Sequence, residues 1–212
     1  MGTNSILFAM FDQKDLPEFV KASLNSREPI RVRNAPAHYR HAGVLIPLLL
    51  EGDCHHILFT KRSDQVEHHK GQISFPGGAA ETDDKTIEET VIRESCEEIG
   101  LCEGNVEILG RIDDTITLES SFVVHPFVGL IYSPHDFVIS KVEVEKIITV
   151  PWETLIVSNM KKKTCEVERD GVIYETPTYE YNGDLIWGAT AKMMDNLLDI
   201  LKRKSPLLEP EK

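Results

Sequence analysis

FPGGAAETDDKTIEETVIRESCEEIGL, residues 75–101, joins a glycine-rich turn to a strongly acidic helix. Thr86 followed three residues later by Glu89 is a capping-box pattern that predicts where the helix begins, and Asp83 and Asp84 are alternative caps. Gly100 is a natural C-terminal stop for this helix. Apolar side chains at helical spacing predict the face that the helix buries, at Ile92, Cys96 and Ile99.

Three glutamates of this helix share one face. Glu94, Glu97 and Glu98 are spaced i, i+3 and i+4, so their carboxylates lie close together and repel one another. A solvated acidic face is the simpler interpretation of such a run. A divalent metal site explains it better here, because Mg²⁺ takes oxygen ligands and bridges phosphates, and because the adjacent Gly77 and Gly78 allow close backbone approach. We therefore expect Glu98 to be exposed to a site rather than to the core.

The chain around this helix consists mainly of strand-like segments. A continuous apolar run at residues 44–50 predicts a buried strand, which Pro47 places at an edge or a bulge. Residues 73–75 predict a short strand that Pro76 and the following glycines cut off. An amphipathic helix at about residues 190–202 closes the chain. The pattern predicts an α+β fold in which helices enclose a mixed central β-sheet.

The length of 212 residues suits one domain with an N-terminal extension. We expect residues 1–40 to form an arm or helix packed on the domain, residues 41–204 to form the domain, and residues 205–212 to be a mobile tail. Arg31, Arg33 and Arg40 make this arm locally basic.

The composition excludes several classes of partner. A formal net charge of -12 argues against nucleic acid, and an anionic small molecule would need local cations from side chains or a bound metal. The four cysteines include no CxxC pair, so neither a zinc site nor a thioredoxin-like motif is indicated. Because we find no signal peptide and no apolar stretch long enough to span a membrane, we expect a cytoplasmic protein without a membrane partner.

The glycine turn and the acidic helix together resemble the Nudix box, Gly-x5-Glu-x7-Arg-Glu-U-x-Glu-Glu-x-Gly-U, in which U is apolar. The match is specific from Arg93 to Leu101 and departs from the pattern in three places. The interval from Gly78 to Arg93 is one residue longer, Asp84 stands where the first box glutamate is expected, and Ser95 replaces an apolar residue.

The resemblance implies both a fold and a set of roles. The fold is the Nudix-type α/β/α sandwich, and the cofactor is Mg²⁺, with Mn²⁺ as an alternative. Glu94, Glu97 and Glu98 are implied as the metal ligands. In this family the first acid mainly orients the box arginine, so an Asp84–Arg93 pair would act behind the metal ligands in the same way.

The residues before the box resemble the signature of the coenzyme A pyrophosphatase branch, roughly Leu-Leu-Thr-x-Arg-Ser-x3-Arg-x3-Gly-x3-Phe-Pro-Gly-Gly. The chain resembles it at residues 58–63 and 71–78, but Glu67 stands in place of the second arginine and reverses its charge. Lys70 and the histidines before it could supply the missing cation. Two later segments resemble the same branch, at residues 176–181 and 186–191.

The resemblance implies hydrolysis of a pyrophosphate bond. Water attacks one phosphorus with the help of Mg²⁺, and the other phosphate leaves as a monoester. For coenzyme A the products would be 3',5'-ADP and 4'-phosphopantetheine. Nudix enzymes often draw a base from a later strand or loop, and Glu143 resembles that position, while Glu145, Glu94 and Glu97 are alternatives.

A substrate of this kind needs local positive charge in so acidic a chain. We expect Arg62 and Lys70 to hold the 3'-phosphate of coenzyme A, with the N-terminal arginines in reserve. Gly77 and Gly78 are expected at the pyrophosphate, where their backbone can approach closely.

The sequence is compatible with three hypotheses. The first is an enzyme for coenzyme A or acyl-coenzyme A. The second is a Nudix hydrolase for ADP-ribose, a dinucleotide or a nucleotide sugar, which the charge reversal at Glu67 favours. The third is a non-catalytic Nudix ligand sensor, which should have lost box carboxylates that this chain retains. The sequence leaves open the acyl preference, the identity of the base and the oligomeric state, for which a homodimer is one option.

Overall fold

The computed structural model describes residues 15–66, 69–117, 120–132, 135–161, 163–169 and 172–204. Within these ranges the helices are α1 (Leu16–Asn25), α2 (Ile87–Ile99), α3 (Trp152–Lys161) and α4 (Gly188–Lys204). The first six strands are β1 (Arg40–Glu51), β2 (Cys54–Arg62), β3 (Ile73–Ser74), β4 (Gly77–Ala79), β5 (Val106–Arg111) and β6 (Thr115–Thr117). The last six are β7 (Phe122–Ile131), β8 (Val144–Pro151), β9 (Thr164–Arg169), β10 (Val172–Pro177), β11 (Tyr179–Tyr181) and β12 (Asp184–Ile186). Glu67 and the expected tail at 205–212 lie outside the described residues.

Eight strands form one mixed sheet, which confirms the predicted fold class. The central order is β3-β2-β1-β7-β5, while β4 pairs with β1, β6 with β7 and β8 with β2. Strands β1 and β7 are parallel, and the other pairs in this sheet are antiparallel. A parallel pair requires a crossover connection, and helix α2 lies within the one between β1 and β7.

Helices cover both faces of the sheet, as an α/β/α sandwich requires. On one face a smaller core joins α2 to the sheet through Val91, Leu45 and Leu58. On the other face a larger core joins α1, α3 and α4 to the sheet, and it includes Leu16, Leu155 and the apolar side of α4. Within the described ranges, no helix is both long enough and apolar enough to span a membrane.

Pro47 does not mark an edge strand, so that expectation was wrong. Strand β1 is paired along both sides, with β7 on one side and with β4 and then β2 on the other. On the second side the ladder changes from β4 at Val44 to β2 at Leu48. Pro47 lies in this interval, where the absence of its N–H breaks no ladder bond on that side. The glycines that were expected to end the chain's third strand instead form β4.

Helix α2 begins and ends where the sequence predicts. The hydroxyl of Thr86 accepts a hydrogen bond from Glu89 N at 3.1 Å, and Gly100 ends the helix in the left-handed conformation with φ 72°. The predicted buried face was shifted, because Ile92 and Cys96 are only half-buried. The residues that the helix buries are Thr90, Val91, Ser95, Glu98 and Ile99.

Cys96 and Cys102 form a disulfide bond across the end of α2, with their Cα atoms 4.3 Å apart. This bond was not predicted from the sequence, because the two cysteines are six residues apart and do not have CxxC spacing. The chain reverses at Gly100, whose N–H donates to Cys96 O at 3.0 Å, and this reversal returns Cys102 to the last helical turn.

Candidate functional site

Strand β4 crosses between β1 and α2 at positions that exclude side chains. Gly78 lies opposite Gly43, and Gly77 lies opposite Val44. A Cβ on Gly77 would lie 2.3 Å from Gly43 O, and one on Gly78 would lie 2.3 Å from Glu94 Oε2. The glycines therefore bring the backbone of β4 directly against the Glu94 carboxylate. Gly43 was missed in the sequence, where a glycine within an apolar strand was the available signal.

Glu98 is buried beside this backbone, with only 3% of the residue exposed. The N–H of Gly77 donates to Glu98 Oε2 at 3.2 Å, and Arg62 Nη1 lies 3.9 Å from Glu98 Oε1. Burial raises the pKa of Glu98 to about 8, and the charges of Glu143 and Glu94 raise it further while Gly77 and Arg62 oppose the shift. Glu98 is enclosed rather than open to solvent, because its position on α2 faces β2 and β4, and its carboxylate contacts Gly77 and Arg62.

The other two helix glutamates differ in exposure. The Glu94 side chain is 15% exposed, and burial raises the pKa of its carboxyl, whereas a 2.8 Å hydrogen bond from Arg93 Nη1 lowers it. The Glu97 side chain is 57% exposed, with its Oε1 3.7 Å from Arg93 Nη1. Glu94 and Glu98 thus lie inside the site, and Glu97 lies at its rim. Among the described residues, no three histidine, cysteine or acidic side chains converge into a complete metal site.

Asp84 and Arg93 form a bidentate ion pair behind Glu94. Arg93 Nε donates to Asp84 Oδ1 at 3.0 Å and Nη2 donates to Oδ2 at 2.9 Å. The same guanidinium donates to Ala79 O at 3.0 Å, at the end of β4. These hydrogen bonds hold the pKa of Asp84 well below its usual range and raise that of Arg93. Arg93 therefore connects the loop before α2, strand β4 and the Glu94 carboxylate.

Glu143 lies close enough to the cluster for its charge to raise the pKa of both Glu94 and Glu98. Backbone hydrogen bonds connect the segment that contains Glu143 to helix α2. Ser140 N donates to Glu98 O at 2.9 Å, and Glu143 N donates to Ser140 O at 3.0 Å. From the other side, Ser63 N donates to Glu143 O at 2.8 Å. The segment before β8 is thus held between the end of α2 and the end of β2.

Glu145, the alternative to Glu143 as the base, forms a hydrogen bond with another residue. Glu145 is an exposed residue of β8 that accepts a hydrogen bond from Lys61 Nζ at 3.0 Å. Lys70, expected at the substrate, is an exposed residue of the turn that returns from β2 to β3. In that turn Gly71 N donates to Arg62 O at 3.1 Å, so Lys70 lies near the residue that contacts Glu98.

Comparisons with known proteins agree with this arrangement. The family model described as the NUDIX domain matches residues 39–164. The uncharacterized Nudix hydrolase NudL of Yersinia enterocolitica is 33% identical over 162 residues, which cover 76% of this chain and 81% of that protein. NudL of Photorhabdus laumondii is 35% identical over 159 residues, covering 74% and 83%. The MutT protein from Methanosarcina mazei Go1 has a TM-score of 0.51 and 17% identity over 82% of this chain and 99% of that chain, which shows a likeness of fold alone.

Proposed function

This chain belongs to the Nudix hydrolase family, which acts on phosphorus anhydrides, and from that premise we propose that it hydrolyses the pyrophosphate bond of coenzyme A or an acyl-coenzyme A. The products would be 3',5'-ADP and 4'-phosphopantetheine or its acyl form. The observation that carries the proposal is the position of the branch signature, whose Arg62, Gly77 and Gly78 line the carboxylates of Glu98 and Glu94. Motif residues from strands β2 and β4 thus border one acidic site.

The donor set fits a hard divalent cation. Glu94 and Glu98 offer carboxylate oxygens next to the glycine backbone, and the ion pair of Glu98 with Arg62 is long, at 3.9 Å. Mg²⁺ is commonly held by one or two carboxylates together with waters and substrate phosphates, so an incomplete protein cage suits it. We propose that Glu94 and Glu98 hold Mg²⁺ or Mn²⁺, with Glu97 joining from the rim. When bound, the ion would neutralise the pyrophosphate and activate a water molecule.

Residues of this protein position the Glu94 carboxylate and supply a base. Asp84 fixes the Arg93 guanidinium, which in turn fixes the Glu94 carboxylate against β4. Glu143 is the base that we propose for the attacking water, because it lies beside Glu94 and Glu98 while Glu145 is bound to Lys61.

The substrate would lie along the glycines. The absence of a side chain at Gly78 lets the Glu94 carboxylate lie directly against the backbone of β4, so a pyrophosphate bound to the metal at Glu94 would lie beside this backbone. The guanidinium of Arg62 lies beside Glu98, so we assign it to the pyrophosphate end of the substrate, with the exposed Lys70 nearby.

The alternative is a Nudix hydrolase for ADP-ribose, a dinucleotide or a nucleotide sugar, and Glu67 favours it because this residue reverses a charge of the branch signature. One panel of substrates distinguishes the two proposed functions. The protein is incubated with Mg²⁺ and each nucleoside diphosphate derivative, in ordinary and in ¹⁸O-labelled water, and the products are identified by mass. We expect 3',5'-ADP from coenzyme A, with ¹⁸O in one phosphate product, and loss of turnover in the Glu98→Gln variant.

Faster hydrolysis of ADP-ribose or nucleotide sugars than of coenzyme A would contradict the proposed substrate and support the alternative. Binding without hydrolysis of any member of the panel would contradict both enzymatic proposals.

A further inference from the structure

A buried carboxylate and two histidines form a hydrogen-bonded chain close to the site. The Asp114 side chain is only 1% exposed, and its Oδ1 lies 2.8 Å from His125 Nδ1. His125 Nε2 lies 2.8 Å from His41 Nδ1, and the two rings are stacked with centroids 5.1 Å apart. His125 is buried, whereas His41 is exposed. The chain of groups therefore leads from the protein interior to the surface.

The direction of these hydrogen bonds follows from the carboxylate. His125 Nδ1 lies 2.8 Å from Asp114 Oδ1 and 3.2 Å from Arg111 Nη2. We assign the hydrogen to Nδ1, because the contact with Asp114 is the shorter one and an ionised carboxylate can only accept. In a neutral His125, Nε2 then accepts from His41 Nδ1–H. His41 Nε2 is thereby left pointing away from the pair, as the group that a ligand would meet.

The strand register places His41 on the same face of the sheet as Glu94. A Cβ on Gly43 would contact Val91 of α2, and Gly43 lies opposite Gly78, whose Cβ would contact Glu94. Side chains two residues apart on a strand share a face, so His41 projects toward the same side as these positions. His41 is two residues from Gly43 along β1, which corresponds to about 7 Å of strand.

Positively charged side chains lie around the hydrogen-bonded series of Asp114, His125 and His41. Arg111 Nη2 donates to Asp114 Oδ1 at 2.9 Å, and the Arg111 guanidinium lies 4.9 Å from the centre of the Phe127 ring. Burial lowers the pKa of Arg111, Asp114 opposes this, and Arg31 is near enough to lower it further. Asp114 thus faces the guanidinium of Arg111, and Arg31 lies near that guanidinium, in a protein whose net charge is -12.

We propose, building on the proposed function, that His41 is the outer residue of a subsite for a phosphomonoester carried on the ribose of the substrate. A 3'-phosphate is separated from the 5'-pyrophosphate by the ribose alone, so the two must bind within a short reach of each other. To donate to the phosphate through Nε2–H while Nδ1–H stays bonded to His125, His41 would carry hydrogen on both ring nitrogens, and Asp114 at the inner end would compensate the resulting positive charge. The subsite would select nucleoside diphosphates that carry this additional phosphate.

A purely structural role is the competing explanation, because Asp114 Oδ2 also accepts from Val32 N at 3.0 Å and so holds the N-terminal arm. Variants of Asp114 would disturb that arm. His41→Asn is the sharper change, since an asparagine N–H can still donate toward His125 while the outward nitrogen is lost. His38→Asn is the matched control, because His38 is an exposed histidine of the same segment and packs on Tyr39, with ring centroids 4.9 Å apart.

The test measures binding and turnover with ligand pairs that differ only in the ribose phosphate. Calorimetry compares 3',5'-ADP with 5'-AMP, and steady-state kinetics compares kcat/KM for coenzyme A and 3'-dephospho-coenzyme A. We expect His41→Asn to reduce the preference for the phosphorylated member of each pair by about 10- to 100-fold, the loss typical of one hydrogen bond to a charged group. His38→Asn should leave both preferences unchanged.

The outcomes separate this subsite from the proposed function. If His41→Asn weakens both members of each pair equally, or if the wild-type protein binds 3',5'-ADP no more tightly than 5'-AMP, the subsite is refuted while the hydrolase assignment stands. If coenzyme A is not hydrolysed but His41→Asn still abolishes the preference for 3',5'-ADP, the proposed substrate fails and the subsite is supported.

Discussion

Replacement of Glu98 by glutamine should change how the stability of the metal-free protein depends on pH. In the folded protein burial raises the pKa of Glu98 to about 8 from an ordinary value of 4.5. Between these values the folded state holds a proton that the unfolded chain has lost, so the free energy of unfolding falls as pH rises. The stabilisation is complete below pH 4.5 and is lost through about pH 8, and it amounts to about 5 kcal/mol at most, at about 1.36 kcal/mol per unit.

Glutamine cannot titrate, so the Glu98→Gln variant should lack this decline. Urea unfolding in the presence of a chelator, between about pH 5 and pH 9, gives the difference in unfolding free energy between variant and wild type. That difference should grow with pH in favour of the variant. Glu97→Gln removes the same charge from the same helix at a side chain that is 57% exposed, and it is the matched control for the loss of that charge. A flat difference for Glu98→Gln would refute the assignment of a buried, proton-holding carboxyl.

Further expectations concern the reaction itself. Mg²⁺ binding should release a proton from Glu98, so calorimetric affinity should rise with pH and level off above about pH 8. Asp84→Asn should lower kcat by about 10- to 100-fold, because it removes the bidentate ion pair with Arg93. Glu98→Gln should lower kcat by more. If Asp84→Asn lowers kcat by as much as Glu98→Gln or more, Asp84 belongs among the metal ligands. Glu143→Gln should lower kcat by about 100-fold or more while Glu145→Gln has little effect, and the reverse order in a rate assay would exchange their roles. Arg62→Gln should reduce kcat/KM for coenzyme A and 3'-dephospho-coenzyme A by similar factors, whereas a selective loss for coenzyme A would return the 3'-phosphate to Arg62.

The sequence was most informative where local rules decide the structure. Thr86 and Gly100 set the two ends of α2 through a hydroxyl cap and a left-handed residue, and both are readable from residue type. The spacing of Glu94 and Glu98 likewise places them on one helical face whatever surrounds the helix. The acidic cluster and its glycine neighbours could therefore be found without coordinates.

The sequence was least informative where distant elements meet. Periodicity showed that Glu98 lies on the acidic face, but its burial depends on the packing of β2 and β4 against that face. Ser95 departs from an apolar position of the Nudix box, yet it is fully buried, with an Oγ that has no hydrogen-bond partner among the described residues. The chain from Asp114 to His41 joins three separate segments, and nothing in the local sequence of any one of them points to the others.

The two departures around the first acid of the Nudix box have one physical explanation. An aspartate is one methylene shorter than the expected glutamate, so from the same backbone position it would fall short of Arg93. The loop between Gly78 and Arg93 is one residue longer, and we infer that this additional residue lets the backbone at Asp84 come closer to the helix. Both Asp84 oxygens consequently reach the guanidinium, at 3.0 and 2.9 Å. The longer loop and the shorter acid therefore compensate for each other, and together they preserve the contact through which Arg93 holds Glu94.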